Sequence, residues 1–253
     1  MTVQINSVQI AAPTGPAYGE QLRIGLIALA ADIAIERDFH RLAADDDVSV
    51  FTSRIRQGEP NSEATFRAFE ADIPQVAHLI LPNSRLDVVV FACTAASMLI
   101  GAAQIEAAVQ LGRPGVAVTN PATAVTEALR AVGARRIAIL TPYTPSVTET
   151  AVAFMQGQGF EVHSVACLGI DLDDTHARIS EEVLYQQALE LDWKSVDAIF
   201  LSCTAIRSLN VIERLERATG KVVITSNQAT FWHALRLGKA SPSVQGFGRL
   251  FEF

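Results

Sequence analysis

Asp197-Ala-Ile-Phe-Leu-Ser-Cys203-Thr-Ala205 repeats, almost letter for letter, Asp87-Val-Val-Val-Phe-Ala-Cys93-Thr-Ala95, which lies 110 residues earlier. In each phrase an Asp opens a run of four apolar residues, the pattern of a parallel strand buried on both faces. Cys-Thr then stands where the strand gives way to the next loop or helix. The echo extends outward, because Arg136-Ile-Ala-Ile-Leu140 repeats Arg23-Ile-Gly-Leu-Ile27. The Arg-to-Cys separation is 67 residues in the second half and 70 in the first. Two landmarks in the same order at nearly the same spacing predict an internal duplication, with two similar halves that each present one thiol.

Periodicity fills in the remaining elements. In the first half, strands are predicted at 23–29, 48–52, 87–91 and 113–118. Helices are predicted at 30–39, where Asp32 is placed to cap, at 62–81, at 98–111, and from the turn at 119–123 through residue 132. The second half predicts strands at 136–140, 161–167, 198–201 and 222–225, and helices at 147–158, 179–191 and 228–237. Strand and helix alternate throughout, so the fold class is α/β: two pseudo-symmetric, Rossmann-like parallel-sheet lobes with the active site between them. The lobes are expected at 18–118 plus 228–253, the tail crossing back to complete the first, and at 119–227. Residues 1 to about 20 lack periodicity and read as an arm.

Composition narrows the function. The chain has 253 residues, 49% hydrophobic and 19% charged, and its net charge of −7 comes without an acidic or basic run, which argues against a nucleic-acid partner. Neither a signal peptide nor a membrane-length apolar stretch is visible, so a cytoplasmic protein is expected. In that reducing setting Cys93, Cys167 and Cys203 do not read as a disulfide framework, and no spacing suggests a metal site. Cys167, inside an apolar strand, is assigned to the core. The five histidines are dispersed and read as surface or packing residues.

Ligands of parallel α/β sheets bind beyond the carboxyl ends of the strands, where helix N-termini point N–H groups outward. Cys93 and Cys203 both fall there, and a thiol in such a place ionises below its usual pKa of about 8.5. If the halves face each other, the thiols flank one cleft and can serve opposite faces of one carbon. Thr94, Ala95, Thr204 and Ala205 follow the cysteines and offer hydroxyl and backbone N–H donors to a bound carboxylate. Asp87 and Asp197 open their strands at the far end and are read as strand-start residues.

From residue 23 onward the chain resembles the Asp/Glu racemase superfamily, in the branch of maleate cis-trans isomerases and arylmalonate decarboxylases. The residues carrying the likeness are the paired Cys-Thr motifs, Ile139-Leu-Thr-Pro-Tyr143, Gly169-Ile170, Ser202-Cys-Thr204 and Ser226-Asn-Gln228. The resemblance implies a substrate-contacting role for Tyr143, and the retention of Cys93 speaks against the decarboxylases. Two departures stand out. Where the isomerases carry Pro-Ser-Ser-Asn this chain has Leu29-Ala-Ala-Asp32, and a second asparagine is replaced by Asp173. An ionised Asp repels a dicarboxylate and attracts an ammonium group, and the variant is also similar to the ectoine-utilisation proteins, presumed racemases.

The sequence therefore predicts an isomerase without cofactor or metal, in which Cys93 and Cys203 racemise a small amino acid held by Asp32, Thr94, Ala95, Tyr143, Asp173, Thr204 and Ala205. The alternatives are maleate-type cis-trans isomerisation by covalent addition, and a non-catalytic small-molecule sensor. A homodimer is the expected assembly.

Overall fold

The computed structural model describes residues 17–43, 47–58, 61–171 and 173–253, without the side chains of Asp173 and Asp174. The expected N-terminal arm lies almost wholly outside them. Each half is built on a four-stranded parallel sheet. In the first, β1 (Leu22–Leu29), β2 (Val48–Ile55), β3 (Val88–Ala92) and β4 (Ala117–Thr119) lie in the order β2-β1-β3-β4. In the second, β5 (Arg136–Thr141), β6 (Glu161–Cys167), β7 (Ala198–Leu201) and β8 (Val222–Thr225) lie in the order β6-β5-β7-β8. One strand order used twice is what a duplication requires.

Every residue of β3 and β7 is buried, which is why the repeated phrases show no polar alternation. The repeated aspartates staple these strands to their neighbours at the end away from the thiols. Asp87 Oδ2 accepts the Arg23 N–H at 2.8 Å, and Asp197 Oδ2 accepts the N–H groups of Arg135 and Arg136, both at 2.8 Å. Those backbone donors hold the Asp197 carboxyl below the usual range.

The helices begin and break where local chemistry dictates. The predicted helix at 30–39 is instead α1 (Ile35–Leu42), because Asp32 Oδ1 accepts the N–H groups of Ala34 and Ile35 at 2.8 and 3.0 Å and sets the start later. The helix predicted at 62–81 is α2 (Glu63–Arg67) and α3 (Phe69–Leu79), with Ala68 between them still helical in its dihedrals. The helix predicted at 98–111 starts earlier, directly after Cys93, as α4 (Thr94–Ile100), and resumes as α5 (Ala102–Gly112). Gly101, at φ +92°, separates the two. The others are α6 (Pro121–Ala131), α7 (Pro145–Gly157), α8 (Asp173–His176), α9 (Glu181–Leu189), α10 (Ile212–Thr219) and α11 (Ser226–Gly238).

Cys167 is exposed, contrary to the core position expected of it. Apolar composition misled there: β6 is an edge strand whose residues are at least partly exposed along its whole length.

The last helix of each half packs on the sheet of the other half. Ala124, Val125, Ala128 and Leu129 of α6 share a core with Ile137, Ile139, Phe200 and Ile224 of the second sheet. Phe231, Ala234 and Leu235 of α11 share a core with β1 and β3, and Phe231 meets Phe39 of α1 edge-to-face at 5.4 Å. The two helices also pack against each other, and the terminal turn Arg249–Glu252 lies against β8 and α11.

Candidate active site

The strand-end rule brings the two thiols together, but on different backbones. Cys93 is extended (φ −145°, ψ 117°) and stands at the N-cap position of α4. Cys203 has φ +129°, outside the regions that suit residues with a Cβ, a geometry costing on the order of 1–3 kcal/mol that the surroundings must hold in place. Two hydrogen bonds do so. The Cys203 N–H donates to Ser226 Oγ at 3.0 Å, and the Ala205 N–H donates to Cys203 Sγ at 3.3 Å. No α-helix starts directly after Cys203, and α10 begins only at Ile212.

Ser226, the first residue of α11, joins the two repeated phrases. Besides holding the Cys203 N–H, its Oγ accepts the Thr94 hydroxyl at 2.9 Å. The next residue continues the support: Asn227 Nδ2 donates to the Thr204 carbonyl at 2.9 Å and to Asp38 Oδ2 at 2.8 Å. Thr225 and Gln228 form a capping box that fixes this turn. The Ser-Asn-Gln motif thus lies behind both cysteines and sets their relative position.

Cys93, Thr94 and Ala95 from the first half and Tyr143, Cys203 and Thr204 from the second line one narrow cavity, whose free volume of about 20 Å³ is little more than the space of one water molecule. Leu29, Phe66, Val147 and Ile170 supply apolar walls. Burial, then the neighbouring Cys203 and Cys93, pushes the Tyr143 hydroxyl well above its usual pKa, so it stays a proton donor; it lies 3.4 Å from Ser202 Oγ. No lysine or arginine lines the cavity among the described residues, and Asp171 is among its lining residues.

Among the predicted contact residues, Thr94, Ala95, Tyr143 and Thr204 face this space. Ala205 sits behind it, with its N–H on the Cys203 sulfur. Asp32 is fully buried and outside the lining, with Oδ1 committed to the start of α1. Asp173 opens α8, and its side chain is outside the described atoms.

Three site residues escaped the sequence reading. Asn61, after β2, donates from Nδ2 to the Asp171 carbonyl, after β6, at 2.7 Å, so two loops from opposite halves meet over the cavity. His176 was read as surface or packing, yet it is fully buried with Nδ1 3.9 Å from Cys203 Sγ. All three lie just beyond the carboxyl ends of β2 and β6. The strand-end rule, applied to every strand instead of only the two bearing cysteines, points to those loops.

The family model for arylmalonate decarboxylase matches residues 61–251. The chain belongs to the arylmalonate decarboxylase family. Among relatives of this arylmalonate decarboxylase family member, a maleate isomerase of Pseudomonas putida is 31% identical over 207 residues, covering 79% of this chain and 82% of the relative. A maleate isomerase of Nocardia farcinica is 29% identical over 239 residues, covering 90% and 94%. The structure of a cysteine-to-serine mutant of the Nocardia farcinica maleate cis-trans isomerase, with a covalently bound succinylcysteine intermediate, superposes with a TM-score of 0.84. Its identity is 26%, over 91% of this chain and 98% of that one. The chain is thus an enzyme on the isomerase side of its family, and the two-sheet fold expected from the duplication is the family fold.

Proposed function

We propose that this enzyme converts a small cis-unsaturated dicarboxylate into its trans isomer by transient addition of a cysteine, without a cofactor. The observation that carries the reading is the pair of thiols, one from each half, on a single narrow cavity. A thiolate adds to one alkene carbon, and the displaced electron pair moves toward the carboxylate on the other. The former double bond, now single, rotates. The pair then returns and expels the thiolate, so no proton or electron is consumed. The protonated Tyr143, together with N–H groups following the cysteines, is suited to stabilise the charge that collects on the carboxylate.

Similarity to maleate isomerases over nearly the whole chain supports this order of preference. The main objection to a dicarboxylate, the buried charge of Asp32, loses force because Asp32 does not line the cavity. One observation favours racemisation of a small amino acid as a second reading: Asp171 does line it, and a carboxylate there favours an ammonium group over a second anion. Incubation in D2O with maleate, and separately with amino acids, followed by proton NMR, tests both. Appearance of the trans acid with its vinylic protons retained supports addition and rotation. Exchange of an amino-acid α-proton, with maleate untouched, replaces it with racemisation. Ligand binding without either reaction leaves the sensor. A dimeric assembly, a cytoplasmic location and lobes at 18–118 plus 228–253 and 119–227 belong to the same proposal.

A further inference from the structure

We propose that Asp38 is a positioning residue for Cys203: through Asn227 it holds the peptide plane between Thr204 and Ala205, whose N–H faces the Cys203 sulfur. The inference rests on the reading that Cys203 reacts through that sulfur.

The chain of contacts runs from α1 of the first half to the thiol of the second. Asn227 Nδ2 has two hydrogens to give. One goes to Asp38 Oδ2 at 2.8 Å and the other to the Thr204 carbonyl at 2.9 Å, and all three residues are buried. Asp38 is held on its other side by Arg41, whose Nη1 lies 3.8 Å from Oδ1. A trans peptide is a rigid plane on which C=O and N–H point in opposite directions, so fixing the Thr204 carbonyl also aims the Ala205 N–H. That N–H donates to Cys203 Sγ at 3.3 Å. A donor held there stabilises the thiolate more than the neutral thiol, because hydrogen bonds to a charged acceptor are the stronger kind. The role needs an acceptor at position 38, since Asn227 presents a donor to it. Without that acceptor an amide hydrogen is left buried and unbonded, and the amide relieves the penalty by turning away from Thr204.

The duplication shows the same device built differently. In the first half the Thr94 carbonyl accepts the Ser97 hydroxyl at 2.9 Å, and Ser97 Oγ in turn accepts the Ala122 N–H at 3.1 Å. Ala122 is the second residue of α6, as Asn227 is of α11. Each half thus clamps the carbonyl of the threonine after its cysteine from the start of its last long helix, through a hydroxyl of α4 in one and a side-chain amide in the other. The second clamp continues to Asp38, in the opposite half. Replacing Asp38 should therefore reach Cys203 and spare Cys93, although both thiols line one cavity.

The test measures thiol reactivity and so does not depend on the substrate. The chain has three cysteines, so in the Cys93→Ser, Cys167→Ser protein only Cys203 can be alkylated, and in Cys203→Ser, Cys167→Ser only Cys93. Asp38→Leu, close in shape but unable to accept a hydrogen bond, and Asp38→Asn, which keeps an accepting oxygen, are introduced into each. With Asp38→Leu, iodoacetamide modification of Cys203 at pH 7 should slow by about three- to tenfold, because the weakened hydrogen bond leaves less thiolate, partly offset by the thiolate's greater nucleophilicity. Cys93 should react at its original rate, which excludes a general change in access to the cavity, and Asp38→Asn should leave the Cys203 rate as it was. An unchanged Cys203 rate with Asp38→Leu, an equal fall at both cysteines, or a fall with Asp38→Asn as large as with Asp38→Leu overturns the proposal. Should Asp38→Leu fail to fold, Asn227→Ala cuts the same link one step nearer the sulfur. It must slow Cys203 selectively, and equal effects on both thiols, or none, overturn the proposal. Absence of maleate turnover in the unmodified enzyme refutes the proposed function and leaves this result standing.

Discussion

Ser226 shows how one hydroxyl can serve both halves of the site. It accepts the Cys203 N–H and the Thr94 hydroxyl, and all three groups are buried. Ser226→Ala is expected to lower stability by roughly 1–3 kcal/mol, read from urea unfolding, because it leaves two buried donors unpaired. It should lower kcat more than it raises KM, since Cys203 loses one of the two hydrogen bonds that hold its positive φ. Asp38, behind the site, gives a pH-dependent prediction. Burial raises its carboxyl to about 6 from 3.8, against the opposing effects of Asn227 and Arg41 and with a small addition from Asp32. The folded state therefore binds this proton more tightly than the unfolded chain does. The resulting stability is fully present below pH 4 and is lost as pH rises through about 6, a change on the order of 3 kcal/mol. Asp38→Asn should abolish that portion of the decline between urea titrations at pH 4 and 7.5, and an identical decline in both proteins would refute the assignment. The sequence located both thiols and Tyr143, because the repeat and the family motif mark them. It did not locate His176, since a histidine has no periodicity to betray its partner.

The helices after β4 and β8 tie the halves together. Gly238, the last residue of α11, lies so close to the start of β1 that a methyl group there would overlap Leu22 Cδ1. Gly238→Ala should therefore destabilise the protein by about 1–3 kcal/mol, seen as a lowered denaturation midpoint with an unchanged slope. A neutral result would mean that α11 can slide on the first sheet at little cost. Phe231, Ala234 and Leu235 of α11 belong to the core around the first sheet, while Ala229 and Trp232 of the same helix and Leu250 of the terminal turn belong to the core of the second. Most helices were legible from spacing, but α8 and α10 were not predicted, and most helix boundaries were not legible. Asp32 delays α1 by a hydrogen bond two and three residues along, and Gly101 divides α4 from α5 by a dihedral. Neither alters the hydrophobic pattern from which the helices were predicted.

At the scale of the whole molecule, the cavity exists because two halves meet, and loops from each close over it. The Asn61 amide reaching the Asp171 carbonyl is one such link, and away from the cavity Arg41 of α1 donates to Asn210 Oδ1 at 2.7 Å across the halves. Asn61→Ala should raise KM several-fold while leaving the melting temperature within a degree or two, because a partly exposed bond between loops contributes only about 1 kcal/mol to stability. Equal KM values would show that the cavity forms without this clasp. No helix among the described residues is long and apolar enough to cross a membrane.

By itself, the sequence determined a duplicated parallel α/β protein with a thiol at the end of each central strand, because buried strands and repeated phrases leave one-dimensional traces. Tertiary structure alone decided that the two thiols are unlike. The positive φ of Cys203, the imidazole beside it, the helix directly after Cys93 and the serine between them arise from residues dozens to more than a hundred positions apart or from backbone dihedrals. Neither is encoded in local periodicity.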